Sequence, residues 1–341
     1  MRIVIVTDAW APQVNGVVRT LGALVGELQR TGHEVATITP QDFKTMPCPT
    51  YPEIRLSLFP RRKLARLIEA ARPCAIHIAT EGPLGWAARA YCLRKGLPFT
   101  TAYHTRFPEY VRARFGIPLA VSYALIRRFH ASAATVMVAT ETVEREIHTW
   151  GITRTSRWTR GVDTDLFRPH PQQVYDLPRP IFLYVGRLAV EKNIEAFLSL
   201  DLPGSKVVVG DGPQRQDLEQ KYPGVLFTGA KQGADLAAHY AGADVFVFPS
   251  RTDTFGLVLL EALACGLPVA AYPVPGPLDV IGNAEVGCLD EDLRQAAMKA
   301  LGISREACRS YADNFSWSAS AAQFLGNLSP FSAEASFAPA A

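Results

Sequence analysis

DVFVFPSRTDTFGLVLLEALACGLPVAAY, residues 244–272, holds the pattern on which the fold turns. Asp244–Phe248 and Pro268–Tyr272 are short apolar runs with the composition of buried strands. Between them comes a short turn and then an apolar helix that carries one carboxylate, Glu261. Strand, turn, apolar helix and strand together read as one crossover unit of a parallel sheet covered on both faces. One residue fits that helix poorly. Glu261 lies among leucines and alanines, and a glutamate is rarely buried unless it is paired or ligated. It therefore lies either on a polar stripe or toward a cleft where it holds something. The turn Asp253-Thr254-Phe255-Gly256 places a second carboxylate and a glycine at the helix N-terminus, where anions bind.

The same alternation extends in both directions. Strand-like runs at Ile3–Thr7, Glu34–Thr39, Ile54–Leu58, Ala75–Ala79, Phe99–Ala102 and Thr135–Ala139 are separated by helix-period segments such as Val17–Arg30, Lys63–Ala71 and Leu84–Arg94. A second series follows Arg168-Pro169-His170-Pro171, with runs at Ile181–Val185, Lys206–Gly210, Val225–Thr228, Asp244–Phe248 and Pro268–Tyr272. This predicts an α/β protein of two Rossmann-like β/α/β domains, 1–165 and 166–310, and 341 residues suffice for two cores. The chain is expected to be helical from about 304 to Leu325, with a C-terminal helix over 311–328 returning to the first domain. The small-residue tail 329–341 is expected to be disordered.

The composition is that of a globular protein, 48% hydrophobic and 20% charged, with a net charge of +3. The charge is unevenly spread: 22 basic and 13 acidic residues up to residue 165 against 13 and 19 beyond it, or +9 and −6. Such asymmetry points the first half at an anionic surface. The six cysteines form no C-x-x-C pair and no metal-ligand spacing, which suggests a reducing, cytoplasmic compartment. Met1–Thr7 reads as a buried strand rather than a signal peptide. No apolar run nears the roughly 20 residues of a membrane helix.

In open α/β sheets ligands bind beyond the carboxyl ends of the strands, so the segments after each strand carry the chemistry. After the first comes Asp8–Val17, whose Asn15-Gly16 leads into a helix. Gly16 either lets backbone N–H groups approach a phosphate or makes a simple turn or cap. No G-x-G-x-x-G occurs there, so no dinucleotide cofactor is indicated. VGRLAVEKN, residues 185–193, offers Arg187 and Lys192 to a diphosphate, or else a solvated surface pair. VGDGP, residues 209–213, adds Gly212 at another strand end. Asp163-Thr164-Asp165 is a D-x-D, readable either as a divalent-metal ligand pair or as an Asx turn.

VGRLAVEKN, GDGP, YAGADVFVFPS and TDTFGLVLLEALACGLPVAAYPVPGP, in that order and spacing, strongly resemble the C-terminal domain of the family 4 retaining glycosyltransferases of the GT-B fold. TDAWAPQVNGVVRTLGALVGELQRTGHEV is similar to that family's N-terminal glycine loop, YHTRFPEY to its histidine motif, and RGVDTDLFRP to its interdomain segment. The resemblance spans about residues 1–325. It implies two domains facing a central cleft, the first binding the acceptor and the second the nucleotide sugar, and no requirement for a metal or other cofactor. It implies further that Glu261 is the second acid of an E-x7-E motif, holding the ribose hydroxyls of the donor. Asp253 stands at the first acid, one methylene shorter than the usual Glu, for the donor sugar. Arg187 and Lys192 would neutralise the leaving diphosphate, helped by the backbone N–H groups of Gly16, Phe255, Gly256, Leu257 and Val258, with Gly212 lining the donor site. His104 would contact the donor sugar, although a lone His is more often a core residue.

RRKLARLIEAAR and RFPEYVRARFGIPLAVSYALIRRFH set Arg61, Arg62, Lys63, Arg66, Arg112, Arg114, Arg127 and Arg128 among apolar and aromatic residues. Such segments either lie on an anionic bilayer or form ordinary helices with a charged outer face. HTRFPEY with RGVDTDLFRP looks most like the branch that glycosylates diacylglycerol or other lipids. The expectation is a retaining transferase, peripheral on the inner face of the cytoplasmic membrane, moving a hexose or hexuronate from UDP-glucose or UDP-glucuronate to a lipid such as diacylglycerol. GDP-mannose-dependent α-mannosyl transfer is the alternative, and a non-catalytic nucleotide-binding recruitment module the rival of a different class. The sequence shows no nucleic-acid-binding motif.

Overall fold

The computed structural model describes residues 1–13, 15–48, 51–170, 174–333 and 337, without the side chains of 51–53 and 113–114. Expectations that touch Val14, Pro171, the Arg114 side chain and residues 334–336 and 338–341 lie outside the described residues. The chain forms two compact units, Met1–Thr159 with Trp317–Ala341, and Arg160–Ser316.

In the first unit the strands are β1 (Arg2–Val6), β2 (Glu34–Ile38), β3 (Thr45–Cys48), β4 (Tyr51–Ser57), β5 (Ala75–Ile78), β6 (Thr100–Tyr103), β7 (Val136–Val138) and β8 (Thr155–Arg157). The helices are α1 (Gly16–Arg30), α2 (Arg61–Ala71), α3 (Pro83–Lys95), α4 (Phe107–Phe115), α5 (Leu119–His130) and α6 (Glu141–Thr149). Six strands make a parallel sheet in the order β2-β1-β5-β6-β7-β8. Side chains alternate across a strand, so β1 feeds two cores. Val4 and Val6 pack with Leu64 and Ile68 of α2 and with Leu84 and Tyr91 of α3. Ile3 and Ile5 pack with Leu21, Leu24 and Leu28 of α1.

The run Ile54–Leu58 is not part of this parallel sheet. It falls in β4, which pairs antiparallel with β3, Met46 opposite Leu56 and Pro47 opposite Arg55. The two strands are only two residues apart in sequence, and a parallel pairing would have required a crossover of a dozen residues or more. The sixth sheet position is taken instead by β8, a three-residue strand of half-buried polar residues with no apolar signature.

In the second unit β9 (Ile181–Val185), β10 (Ser205–Val209), β11 (Leu226–Gly229), β12 (Val245–Phe248), β13 (Val269–Ala271) and β14 (Gly287–Leu289) form a second parallel sheet. Its order is β11-β10-β9-β12-β13-β14. That is the order of a doubly wound nucleotide-binding sheet, running outward in both directions from its first strand. Its helices are α7 (Glu195–Leu198), α8 (Arg215–Lys221), α9 (Gly233–Ala241), α10 (Leu257–Ala264), α11 (Pro275–Val280), α12 (Leu293–Ala300) and α13 (Arg305–Ala312). Phe182, Tyr184, Val208, Val245 and Val247 pack on Phe197, Leu218 and Leu293.

The first unit ends at Thr159 rather than at 165, and hydrogen bonds explain why. The Val162 N–H donates to the Phe315 carbonyl at 3.1 Å. Arg309 donates to the carbonyls of Thr164 and Phe167, each at 3.0 Å. The helical stretch after 304 is two helices, α13 and α14 (Trp317–Asn327), broken at Asp313–Ser316. Phe324 of α14 lies in the α1 core. The segment expected to be disordered begins in contact with the fold: the Phe331 N–H donates to the Cys74 carbonyl at 2.8 Å, and Phe331 and Phe337 pack on the α2–α3 core.

Asp8, beyond β1, is buried, and its carboxylate accepts from the Leu84 N–H (2.9 Å), the Gly85 N–H (3.3 Å) and the Thr80 hydroxyl (3.0 Å). It thereby caps α3 and ties the β1 and β5 loops together. Burial outweighs these bonds and pushes its pKa up from 3.8 to about 6. Between those values the folded state holds the proton more tightly than the unfolded chain, so this group's contribution to stability falls as pH rises from 4 to 6 and is level above. Comparing denaturant unfolding of wild type with Asp8→Asn at pH 7 and pH 4 tests this. The wild type is expected to gain about 2 kcal/mol on the variant on going from pH 7 to pH 4, and a pH-independent difference would refute the buried-carboxylate account.

Candidate active site

The topological switch of the second sheet lies between β9 and β12, where successive strands begin to build in opposite directions, and ligands of such sheets bind at this crevice. The two loops there hold each other. The Thr252 hydroxyl donates to the Glu191 carbonyl (3.1 Å), and the Asn193 side chain donates to the Pro249 carbonyl (3.1 Å). Asn193 takes a left-handed backbone, φ 51°, to do so.

Lys192, on the 3-10 turn after β9, and Asp253, after β12, meet at 2.6 Å (Nζ to Oδ1). Both side chains are about one-fifth exposed. The other carboxylate oxygen of Asp253, Oδ2, is buried and takes no hydrogen bond. Arg187 is half-buried in the same β9 loop, and its carbonyl accepts from the Tyr184 hydroxyl at 2.9 Å.

Gly256 opens α10 with φ 82°, a conformation that costs a side chain dearly. Its N-cap residue is Gly256, which has no side chain to cap with, and no acid lies in the first turn. The N–H groups at its N-terminal end, around Phe255, Gly256, Leu257 and Val258, therefore form a positive helix terminus beside Lys192 and Asp253 in the chain's topology. About one turn on, Glu261 is only 4% exposed. The hydroxyl of Tyr240, from α9, donates to its Oε2 at 3.0 Å. That partner was not legible in the sequence, where a tyrosine in an apolar helical run looks like core.

Gly212 has a packing role. A Cβ there would lie 2.4 Å from the Leu188 carbonyl oxygen. The Leu188 N–H donates to the Asp211 carbonyl (2.9 Å), and the Gln214 N–H donates to that of Leu188 (3.1 Å). The GDGP turn thus buttresses the loop that carries Arg187.

In the first unit, Gly16 is the first residue of α1. Asn15 is its N-cap, accepting from the Val18 N–H at 3.0 Å, and a Cβ on Gly16 would meet nothing within 4 Å. The cap and the glycine are both real, and the space beside Gly16 is open. His104 directly follows β6 and is half-buried, its ring edge-on to Trp158 with centroids 5.5 Å apart. The Asp163 carboxylate accepts from the N–H groups of Asp165 (3.1 Å) and Leu166 (3.0 Å), an Asx turn. Among the described residues no three His, Cys, Asp or Glu side chains are grouped to hold a metal ion.

Residues 14–166 match the model of Glycosyltransferase Family 4, and residues 179–304 that of Glycosyl transferases group 1. The chain belongs to glycosyltransferase family 4. A GDP-mannose-dependent alpha-mannosyltransferase of Mycobacterium tuberculosis is 33% identical over 85% of this chain and 83% of its own. An alpha-monoglucosyldiacylglycerol synthase of Streptococcus pneumoniae is 29% identical over 88% and 78%. The fold is that of the sucrose-phosphate synthase of Thermosynechococcus elongatus, with a TM-score of 0.74, 24% identity and coverage of 95% and 97%. The protein is therefore a glycosyltransferase of the GT-B fold acting on nucleotide sugars, and the rival of a non-catalytic module falls away. In this transferase, Gly212→Ala is expected to force the Arg187 loop off the GDGP turn at about 1–3 kcal/mol. A thermal melt that leaves Tm unchanged would show that the turn tolerates the methyl group.

Proposed function

We propose that this glycosyltransferase is a retaining, metal-independent α-mannosyltransferase that draws on GDP-mannose and delivers to a lipid at an anionic membrane surface. The observation that carries the reading is the meeting of Lys192 and Asp253 beside the N-terminal end of α10, which opens on Gly256, at the switch point of the second sheet. In the reaction the bond from the anomeric carbon to the diphosphate oxygen breaks, its electron pair leaving with the diphosphate. The acceptor hydroxyl oxygen bonds to the same face of that carbon, and its proton passes to the departing phosphate oxygen. Arg187, Lys192 and the α10 N–H groups stabilise the charge that grows on the diphosphate. Asp253 accepts from a sugar hydroxyl through its free Oδ2, Glu261 holds the ribose, Gly16 gives the phosphates a backbone approach, and His104 contacts the donor sugar.

GDP-mannose is placed ahead of the UDP-hexose expected from the motifs because the mannosyltransferase relative is 33% identical over most of both chains. The glucosyldiacylglycerol synthase relative supports UDP-glucose and diacylglycerol as the second reading. A membrane surface is supported by exposed Phe107, Phe115, Ile117, Val121 and Leu125 on α4, α5 and their junction, with exposed Arg112, Arg127 and Arg128. Arg61, Arg62, Lys63 and Arg66 are exposed on α2. Tyr110 is half-buried. Among the described residues no helix is long and apolar enough to cross a membrane. Contact on the cytoplasmic side fits the free cysteines.

Two experiments test the proposal. Lipid extracts incubated with GDP-mannose or UDP-glucose and excess EDTA are expected to yield an α-mannosyl lipid from GDP-mannose. Arg187→Ala and Lys192→Ala are each expected to lower transfer roughly 100-fold or more. Transfer from UDP-glucose alone selects the second reading, strict dependence on Mg²⁺ or Mn²⁺ removes metal independence, and undiminished rates in both variants reject the diphosphate assignment. In sedimentation with vesicles, binding to anionic lipid is expected to exceed binding to neutral lipid and to weaken at 1 M salt, where the Debye length is about 3 Å. Failure to bind either vesicle rejects the membrane surface.

A further inference from the structure

The buried tyrosine behind Glu261 has no part in the reaction as proposed above, and its surroundings give it one. Tyr240 is fully buried, 0% exposed, in α9. Its ring stands edge-on to Phe246 of β12, centroids 5.7 Å apart, and to Phe167, centroids 5.9 Å apart. Phe167 is itself fixed: its carbonyl accepts from Arg309, and the same guanidinium nitrogen donates to the Ala264 carbonyl at 3.2 Å, at the end of the helix that bears Glu261. The hydroxyl has one orientation relative to this frame, and it points at Oε2 of Glu261.

A glutamate has three side-chain torsions, and in a cavity it can turn its carboxylate several ways. A charge-assisted hydrogen bond from a ring that cannot move selects one of them. We propose that Tyr240 is a positioning residue, which sets the Glu261 carboxylate to accept from the two ribose hydroxyls of a nucleoside diphosphate. Phe167 and Arg309 lock the tyrosine ring and the helix end in register. This rests on the reading of Glu261 as the ribose ligand, and it adds a reason why RGVDTDLFRP carries a phenylalanine at 167: the segment supports the nucleotide site from behind.

The test is calorimetric binding of GDP and UDP, each against its 2′,3′-dideoxy counterpart, to wild type, Glu261→Gln, Tyr240→Phe and Phe167→Leu. Two hydrogen bonds to a carboxylate give the wild type a preference for the ribose form on the order of a hundredfold. Glu261→Gln is expected to remove most of it. If that variant keeps the full preference, the ribose reading of Glu261 fails and the proposal falls with it. With that reading intact, Tyr240→Phe is expected to narrow the preference about tenfold while affinity for the dideoxy form stays unchanged. Phe167→Leu, which keeps the hydroxyl but loosens its ring, is expected to do the same more weakly. A structural role alone would weaken both forms equally, and that outcome, or an undiminished preference in both Tyr240→Phe and Phe167→Leu, overturns the proposal. Should Tyr240→Phe not fold, the Phe167→Leu ratio decides.

Discussion

All strands of a parallel sheet end on the same edge, and that constraint organises the rest of this molecule. Because each connection crosses back under the sheet before the next strand begins, every loop that follows a strand emerges beside its neighbours. In the second unit this brings the β9 loop with Arg187 and Lys192 next to the β12 loop with Asp253, although 61 residues separate the ionic partners. In the first unit it brings Asp8 against Thr80 and the start of α3. The two sheets use the same edge in opposite ways: one caps its carboxylate completely, and the other leaves a carboxylate oxygen, a lysine and a helix terminus together.

Three acids sit at or near these edges, and their surroundings differ in kind. Asp8 is sealed by three donors and still held near pKa 6 by burial, the mark of a structural cap. Asp253 shares one oxygen with a lysine and keeps the other buried and unbonded. Glu261 is buried deeper, against a tyrosine hydroxyl. Of the three, Asp253 is the one with a buried oxygen that takes no hydrogen bond, an arrangement that is costly to keep. The same reasoning separates Asp163, whose oxygen is spent on two backbone N–H groups of its own turn.

The helices α4 and α5, which carry the exposed apolar residues, are held by short polar and aromatic contacts on their inner side. Arg106 pairs with Glu146, and the Tyr123 hydroxyl donates to Glu109 of α4 at 2.8 Å. Tyr123 in turn stacks on Trp150 with ring centroids 4.2 Å apart. The helix that carries Phe107 and Phe115 outward, which begins three residues after His104, is thus held from within.

Much of this was legible in the chain. The alternation of apolar runs with helical periods determined two α/β halves, since burial on both faces of a parallel strand leaves an apolar run that local composition reveals. The motifs around Arg187, Lys192, Asp253 and Glu261 were legible because each lies within a few residues of its strand. What stayed hidden was long-range. The β3–β4 hairpin was taken for a sheet strand because apolar content does not record a partner, and β8 and β14 are too short to carry a pattern. The unit boundary at Thr159 is set by Arg309 and Phe315, about 150 residues downstream. The pairing of Tyr240 with Glu261 depends on how α9 lies against α10, an angle decided only when the sheet between their strands is assembled. The sequence by itself determined most of the strands and helices and which residue types stand at their ends. The tertiary structure alone decided which of those ends meet, because that choice is made by packing across the whole sheet and no local stretch encodes it.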